Sequence, residues 1–177
     1  IPNSIHAIIR DNRGIQLIRN KKNLWLSETL NTGIQKSSGE WVICLDEDDW
    51  FYPNALSSLL ALSDNADIVY GSLMQDGRIA VPAPQPFDTE LFKKCNPLWA
   101  TSLTRRTVWE SIGGYLTKNK AFYQDWNFWA RACKAGFRFK RSDALIYMHG
   151  SKPESMCHAI EPNINEAIKL STEELYE

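Results

Sequence analysis

The stretch WVICLDEDD occupies residues 41–49 and joins a short apolar run to a short acidic one. A continuous apolar run of this length is typical of a strand that is buried on both faces of a sheet. The acidic residues follow the run directly, and ligands of open α/β sheets bind outside the carboxyl ends of the strands. The stretch therefore predicts a buried strand that ends at a ligand site.

The elements on both sides of this stretch indicate an α/β fold. Upstream, residues 15–19 alternate like a strand, and residues 26–34 carry apolar side chains every four positions, as on one face of a helix. Downstream, a helix is predicted from Pro53 and a strand over residues 67–70. Strand, helix, strand, helix, strand is the order found in parallel α/β sheets.

The second half of the chain adds further elements of the same kind. Asp76-Gly77 predicts a hairpin turn, and residues 106–112 predict a short helix that Gly113-Gly114 ends. Apolar side chains at positions 126, 129, 130 and 133 predict an amphipathic helix, with Gly136 as its C-terminal stop. Residues 137–148 contain two apolar runs that we interpret as closing strands.

The composition is that of one ordinary globular domain. Apolar residues make up 44% and charged residues 23%, and a net charge of −1 gives no indication of nucleic acid binding. The four cysteines lack metal-ligand spacing, and no apolar run approaches the roughly 20 residues that span a bilayer. We expect a cytoplasmic protein with reduced thiols, a domain over residues 1–150 and a polar tail with one weak helix over residues 151–177.

Four adjacent acidic residues at positions 46–49 repel one another unless a cation lies among them. Mg²⁺ and Mn²⁺ prefer carboxylate oxygens and commonly share them with the phosphates of a substrate. The alternative is a solvated acidic turn that caps the helix beginning near Pro53. Because crowded acidic groups are frequent at functional sites, the cation is the favoured interpretation.

Seven short motifs follow one another in order: N-T-G-I at 31–34, G-E-W-V at 39–42, L-D-E-D-D at 45–49, P-N-A-L at 53–56, R-R at 105–106, I-G-G-Y at 112–115 and Q-D-W-N at 124–127. This series resembles family-two-type inverting glycosyltransferases. The resemblance implies an α/β fold of the GT-A type, nucleotide-diphospho-sugar transferase-like, with three α/β/α layers and a mostly parallel sheet. Since that family begins with a nucleotide-binding unit that would precede Ile1, we expect an N-terminally truncated domain that binds a nucleotide sugar poorly by itself.

The resemblance also implies which residues bind the donor and a divalent metal, Mg²⁺ or Mn²⁺. Asn31, Asp46 and Asp48 are implied as donor-binding residues, with Asp46 on the ribose or sugar. Asp48, Asp49 and His149 are implied as metal ligands. A lone histidine is more often structural, and that alternative stays open for His149.

Asp125 matches the catalytic base of the family, the group that takes the proton from an acceptor hydroxyl. The alternative is that Asp125 only caps the helix that follows it, because aspartate is a favoured N-cap residue. Trp99 and Trp126 are candidate acceptor-binding residues, since their rings offer stacking surfaces to a sugar.

The implied function is transfer of a sugar from a UDP-sugar to a glycan or lipid-linked acceptor, assisted by metal, with inversion, in polysaccharide biosynthesis at the cytoplasmic membrane face. Three departures from the family pattern weaken it: Trp25 replaces a glycine, Leu30 replaces an arginine and Gln124 replaces an acidic residue. They leave open a non-catalytic module that binds a glycan or partner. A glycoside hydrolase fits poorly, because its two carboxylates flank the scissile bond and do not cluster on one turn.

Overall fold

The computed structural model describes residues 12, 14–82, 85–117, 123–150, 169 and 172. The predicted tail at residues 151–177 lies outside this set, except for Lys169 and Thr172, which both have helical backbone. The predicted domain boundary at residue 150 therefore stays a prediction. None of the described helices is long and apolar enough to cross a membrane.

The helices lie close to their predicted places. Within the described ranges they are α1 (Trp25–Lys36), α2 (Ala55–Leu60), α3 (Thr89–Phe92), α4 (Arg106–Ser111) and α5 (Gln124–Lys134), with a 3₁₀ turn at Ser63–Asn65. The expected glycine stops after α4 and α5 are confirmed, because Gly113, Gly114 and Gly136 all have positive φ.

The strands form one mixed sheet. Within the described ranges they are β1 (Trp41–Val42), β2 (Trp50–Phe51), β3 (Ile68–Gln75), β4 (Arg78–Ala80), β5 (Leu103–Arg105) and β6 (Phe139–Met148). The order across the sheet is β1-β5-β3-β6-β2, and β4 pairs with β3 in the predicted hairpin at Asp76-Gly77.

The expected mostly parallel sheet is wrong for the described strands. Only β3 and β6 pair in parallel there, whereas β1 with β5, β5 with β3, β2 with β6 and β4 with β3 are antiparallel. One of these pairs follows from a local signal, because the hairpin at Asp76-Gly77 returns β4 directly along β3. The predicted closing strands are one continuous strand, β6.

Two further sequence predictions differ from the structure. Residues 15–19 are exposed and irregular, with no strand partner among the described residues. In the apolar run at 41–45, only Trp41–Val42 is strand, and its side chains are partly buried. Alternation and apolarity predicted strands here, but a strand forms only where a neighbouring strand completes its hydrogen bonds.

Alternate residues of β3 enter two cores, one on each face of the sheet. Ile68 and Tyr70 pack with residues of α1, α3, α4 and α5. Val69 and Leu73 pack with Ala55 and Leu59 of α2. The expected three-layer α/β/α arrangement is therefore confirmed.

The β3–β6 pairing contains a register shift around Gly71. A Cβ atom on Gly71 would collide with the Ile146 side chain and lie 2.9 Å from the Ala144 carbonyl oxygen. Glycine thus allows the two strands to approach where the ladder changes register.

We predict opposite effects of the same substitution at two glycines. Gly71→Ala overpacks the β3–β6 pair and lowers the free energy of unfolding by about 1–3 kcal/mol. Gly33→Ala on α1, where no atom lies within 4 Å of an added Cβ, raises it by about 0.5–1 kcal/mol, because alanine loses less backbone entropy in a helix. Urea unfolding measures both, and equal effects would contradict the close approach at Gly71.

Candidate active site

The acidic residues between β1 and β2 form a closed turn. The Asp49 N–H donates to the Asp46 carbonyl oxygen over 3.2 Å, which brings the four acidic residues 46–49 into one tight loop. Asp46 is exposed, Asp48 is partly buried, and only 3% of the Asp49 side chain is exposed. The turn therefore presents some carboxylates to solvent and buries another beneath them.

The end of β6 holds this turn in place. The Gly150 N–H donates to Asp49 Oδ1 over 2.9 Å, and His149 Nδ1 lies 3.1 Å from the same oxygen. The His149 N–H donates to the Met74 carbonyl oxygen of β3 over 2.8 Å. An added Cβ on Gly150 would collide with the Asp48 carbonyl oxygen. Hydrogen bonding and close packing thus fix the turn against the central strands.

The crowding of carboxylates affects the pKa of Asp46. Burial raises the pKa of Asp46 above its usual value, the charges of Asp49 and Asp48 raise it further, and His149 opposes the shift. A positive charge placed here would relieve this repulsion. The turn is therefore suited to a cation or to a ligand that brings one.

Asp125 is the second residue of α5 and lies in the electrostatic field of this turn. Burial is the main cause that raises the pKa of Asp125, and the negative charge of Asp46 adds to it. Asn96 Nδ2 donates to Asp125 Oδ2 over 2.9 Å, and the Trp126 N–H also faces the carboxylate. The N-cap residue of α5 is Tyr123, with φ of 60°, so Asp125 does not occupy the cap position, although its carboxylate faces N–H groups of the first turn.

Asn31 fills a structural position in the described residues. Its Oδ1 accepts the Trp109 Nε1–H over 2.9 Å and the Tyr115 N–H over 2.8 Å. Its Nδ2 donates to the Tyr115 carbonyl oxygen over 2.7 Å. These contacts use both lone pairs of Oδ1 and one of the two Nδ2 hydrogens, so within the described residues one amide hydrogen remains for a ligand. A donor contact by Asn31 stays a prediction.

The two candidate acceptor tryptophans occupy different environments. Trp126 is 4% exposed and its Nε1–H donates to the Phe92 carbonyl oxygen over 2.8 Å, so the structure corrects the prediction and places this ring in the core. Trp99 is partly buried, and its indole N–H has no hydrogen-bond partner among the described residues. Only Trp99 stays a candidate for contact with an acceptor.

Sequence reasoning missed Asn96 and Gly150. Asn96 lies in a connection between α3 and β5, and its only signal was an asparagine before a proline, which also marks an ordinary turn. Gly150 directly follows a candidate ligand, but nothing in the sequence showed which backbone it would approach. Both are defined by contacts with residues distant in the chain.

The structure shows the surroundings of Leu30 and Trp25, two of the residues that depart from the family pattern. Leu30 packs against the core beneath α1, and Trp25 is 50% exposed at the start of that helix. Neither residue has a described contact with the acidic turn. The structure thus gives Leu30 a packing role at the position where the family pattern has arginine.

Comparison with known proteins gives a family match over part of the chain and two related sequences. Residues 2–84 match the model of Glycosyl transferase family 2. The chain is 26% identical over 140 residues to the uncharacterized glycosyltransferase YwdF of Bacillus subtilis, covering 72% of this chain and 51% of that protein. It is 25% identical over 126 residues to an uncharacterized glycosyltransferase of Haemophilus influenzae, covering 64% of this chain and 42% of that protein. The chain therefore spans about half the length of the relatives it matches.

Solved structures confirm the GT-A fold. The crystal structure of residues 1–349 of S. aureus TarS superposes with a TM-score of 0.72 at 18% identity, covering 99% of this chain and 52% of that one. The complex of the same protein with UDP-GlcNAc superposes with a TM-score of 0.70 at 17% identity, covering 99% and 54%.

We predict that Asp125→Asn stabilises the fold at neutral pH and not in acid. The raised pKa means that the folded protein holds a proton on Asp125 more tightly than the unfolded chain does. Stability is therefore lost as the pH rises through the unfolded and then the folded pKa of Asp125, and asparagine removes that loss.

Urea unfolding at several pH values measures this effect, with Asp143→Asn as the control, because 94% of the Asp143 side chain is exposed. A gain for Asp125→Asn that does not grow with pH would contradict the buried, disfavoured charge.

Proposed function

We propose that this protein, which matches the model of Glycosyl transferase family 2 over residues 2–84, transfers a sugar from a UDP-sugar to a hydroxyl group of a glycan or lipid-linked acceptor, with inversion. The observation that carries the proposal is that Asp125 lies near enough to the acidic turn for the charge of Asp46 to raise its pKa. The TarS complex contains UDP-GlcNAc, which makes this donor the first to test.

The acidic turn is the proposed donor site. Asp46 is exposed and contacts the ribose or sugar, while Asp49 is committed to Gly150 and His149 and shapes the loop from below. This arrangement supports different roles for Asp46 and Asp49, because the Asp46 carboxylate is available to a ligand and the Asp49 carboxylate is held by the protein. His149 in this account is a structural partner of the turn as well as a candidate ligand.

The residues of the turn fit a divalent cation that arrives with the donor. No group of three or more His, Cys, Asp or Glu side chains in the described ranges forms a ready-made metal site. Mg²⁺, however, is usually bound through one or two carboxylates and the phosphates of the substrate, and Mn²⁺ takes similar oxygen ligands. Asp48 would be the main ligand, with Asp49 and His149 next to it. A bound cation supplies positive charge to the leaving diphosphate.

Asp125 is the proposed catalytic base. The acceptor hydroxyl oxygen bonds to the anomeric carbon of the sugar, and its proton passes to the Asp125 carboxylate. The bond from the anomeric carbon to the diphosphate oxygen breaks, and its electron pair stays on the UDP that leaves. A base is most effective when its pKa is near the working pH, and burial together with the charge of Asp46 moves the pKa of Asp125 in that direction.

A binding module without catalysis is the second candidate function. The observation that favours it is Leu30, an apolar packing residue where the family pattern has an arginine. The two candidates differ in one measurement, the release of UDP from UDP-sugars in the presence of an acceptor. Binding of UDP without turnover, for every donor offered, would favour the module.

We predict that Asp125→Asn in the full-length protein abolishes sugar transfer and leaves UDP binding unchanged. Loss of a general base lowers the rate by about 10²–10⁴-fold, whereas asparagine keeps the size of the side chain and its bond to Asn96. UDP release and UDP calorimetry provide the two readouts, and Asp143→Asn is the control. Near wild-type turnover would exclude Asp125 as the base.

We predict that Asp48→Ala removes the part of UDP binding that depends on Mn²⁺. The reason is that Asp48 is the proposed link between the cation and the protein, so the cation no longer adds affinity. Calorimetry with UDP, with and without Mn²⁺, measures the difference, and Asp64→Ala at an exposed position serves as the control. An unchanged effect of Mn²⁺ would exclude Asp48 as a ligand.

A further inference from the structure

Asn96 is connected to the active site by one strong contact. Its Nδ2 donates to Asp125 Oδ2 over 2.9 Å, and its own Oδ1 is buried with no hydrogen-bond partner among the described residues. A buried acceptor without a partner lowers stability, so an amide placed this way is not a general stabiliser of the fold. Its one formed side-chain bond is the bond to Asp125.

The segment that carries Asn96 is itself fixed against α5. The Trp126 Nε1–H donates to the Phe92 carbonyl oxygen at the end of α3, four residues before Asn96. Phe92 is fully buried in the same core as Trp126 and Phe128. The core therefore fixes the backbone segment that carries Asn96 relative to Asp125.

We propose that Asn96 is a positioning residue, which fixes the carboxylate of Asp125 so that its remaining acceptor capacity receives the proton of the acceptor hydroxyl. The proposal rests on the proposed function of Asp125 as base. An ionised carboxylate offers about four acceptor sites. Asn96 takes one, and the N–H groups of Asp125 and Trp126 face the carboxylate as well. These donors hold the group in one orientation and leave room for one more hydrogen.

The same bond acts on the charge of Asp125. Burial and the charge of Asp46 raise the pKa of Asp125, and the hydrogen bond from Asn96 lowers it. The charges of Tyr115 and Tyr147, when ionised, also couple to Asp125, but burial raises the pKa of both phenols. After the Trp126 N–H, the bond from Asn96 is therefore the side-chain contact that opposes the upward shift in the pKa of Asp125.

The test compares Asn96→Ala and Asn96→Leu in the full-length protein. Leucine restores the volume of the side chain but donates no hydrogen bond, so a packing role and a positioning role give different results. Asn65→Ala is the control, because Asn65 is exposed and lies before the start of β3, at the end of the strand opposite the acidic turn. UDP release from UDP-GlcNAc is measured against pH, together with calorimetry of UDP.

We expect both Asn96 variants to lower kcat at neutral pH by about 10- to 100-fold, since a small misplacement of a reacting group has effects of this size. The acid limb of the pH profile moves to higher pH in both, and the affinity for UDP is unchanged. Leucine that restores the wild-type rate and profile, or a loss confined to UDP affinity, would overturn the proposal.

A second measurement separates this proposal from the proposed function. The ionisation of Asp125 is followed by carboxyl ¹³C NMR, with Asp125→Asn to assign the signal. A raised pKa of Asp125 in both Asn96 variants supports the contact even if UDP-GlcNAc is not the donor. An unchanged pKa overturns the role of Asn96, whereas absence of turnover in the wild-type protein with every donor counts against the proposed function alone.

Discussion

The pairing of β6 with β3 and β2 is the constraint on which the rest of the structure depends. β3 and β6 form the one parallel pair among the described strands, and the last residues of β6 also pair with the short strand β2 that follows the acidic turn. The backbone of His149 continues this pairing to Met74. As a result, the C-terminal side of the turn is held against the central strands.

This rigidity explains how the protein tolerates acidic groups that repel one another. In a flexible loop Asp46, Asp48 and Asp49 would move apart into water. Here the Gly150 N–H and the ring of His149 hold Asp49 in place, and burial together with the charges of Asp49 and Asp48 raises the pKa of Asp46. Such a site lowers stability in the absence of a ligand, and a bound positive charge recovers part of that energy. The same field reaches Asp125, so the two halves of the proposed site are coupled through charge.

The sequence predicted the elements whose signal is local. Helices α1, α4 and α5, the hairpin at Asp76-Gly77 and the glycine stops were all predicted from spacing or turn residues, and the structure confirms them. The three layers were also predictable. The mixed pairing of the sheet was not, because strand direction depends on which neighbour is reached and not on the pattern of side chains. The irregular residues 15–19 show the same limit.

The same difference between local signals and long-range contacts applies to the residues of the candidate site. Residues next to the acidic motif could be identified by position, whereas the roles of Asn31, Trp126 and Asn96 depend on partners that are distant in sequence. Asn31 and Trp126 are used by the core, and Asn96 reaches the base.

Leu30 also packs against the core. Leu30 is partly buried, so an arginine here would have to keep its charged end in solvent or in an ion pair, because burying an unpaired charge costs several kcal/mol. The proposed donor site therefore depends on groups other than a cation at position 30. The acidic turn can recruit one, because a divalent metal binds both carboxylates and phosphates and does not require a basic side chain beneath α1.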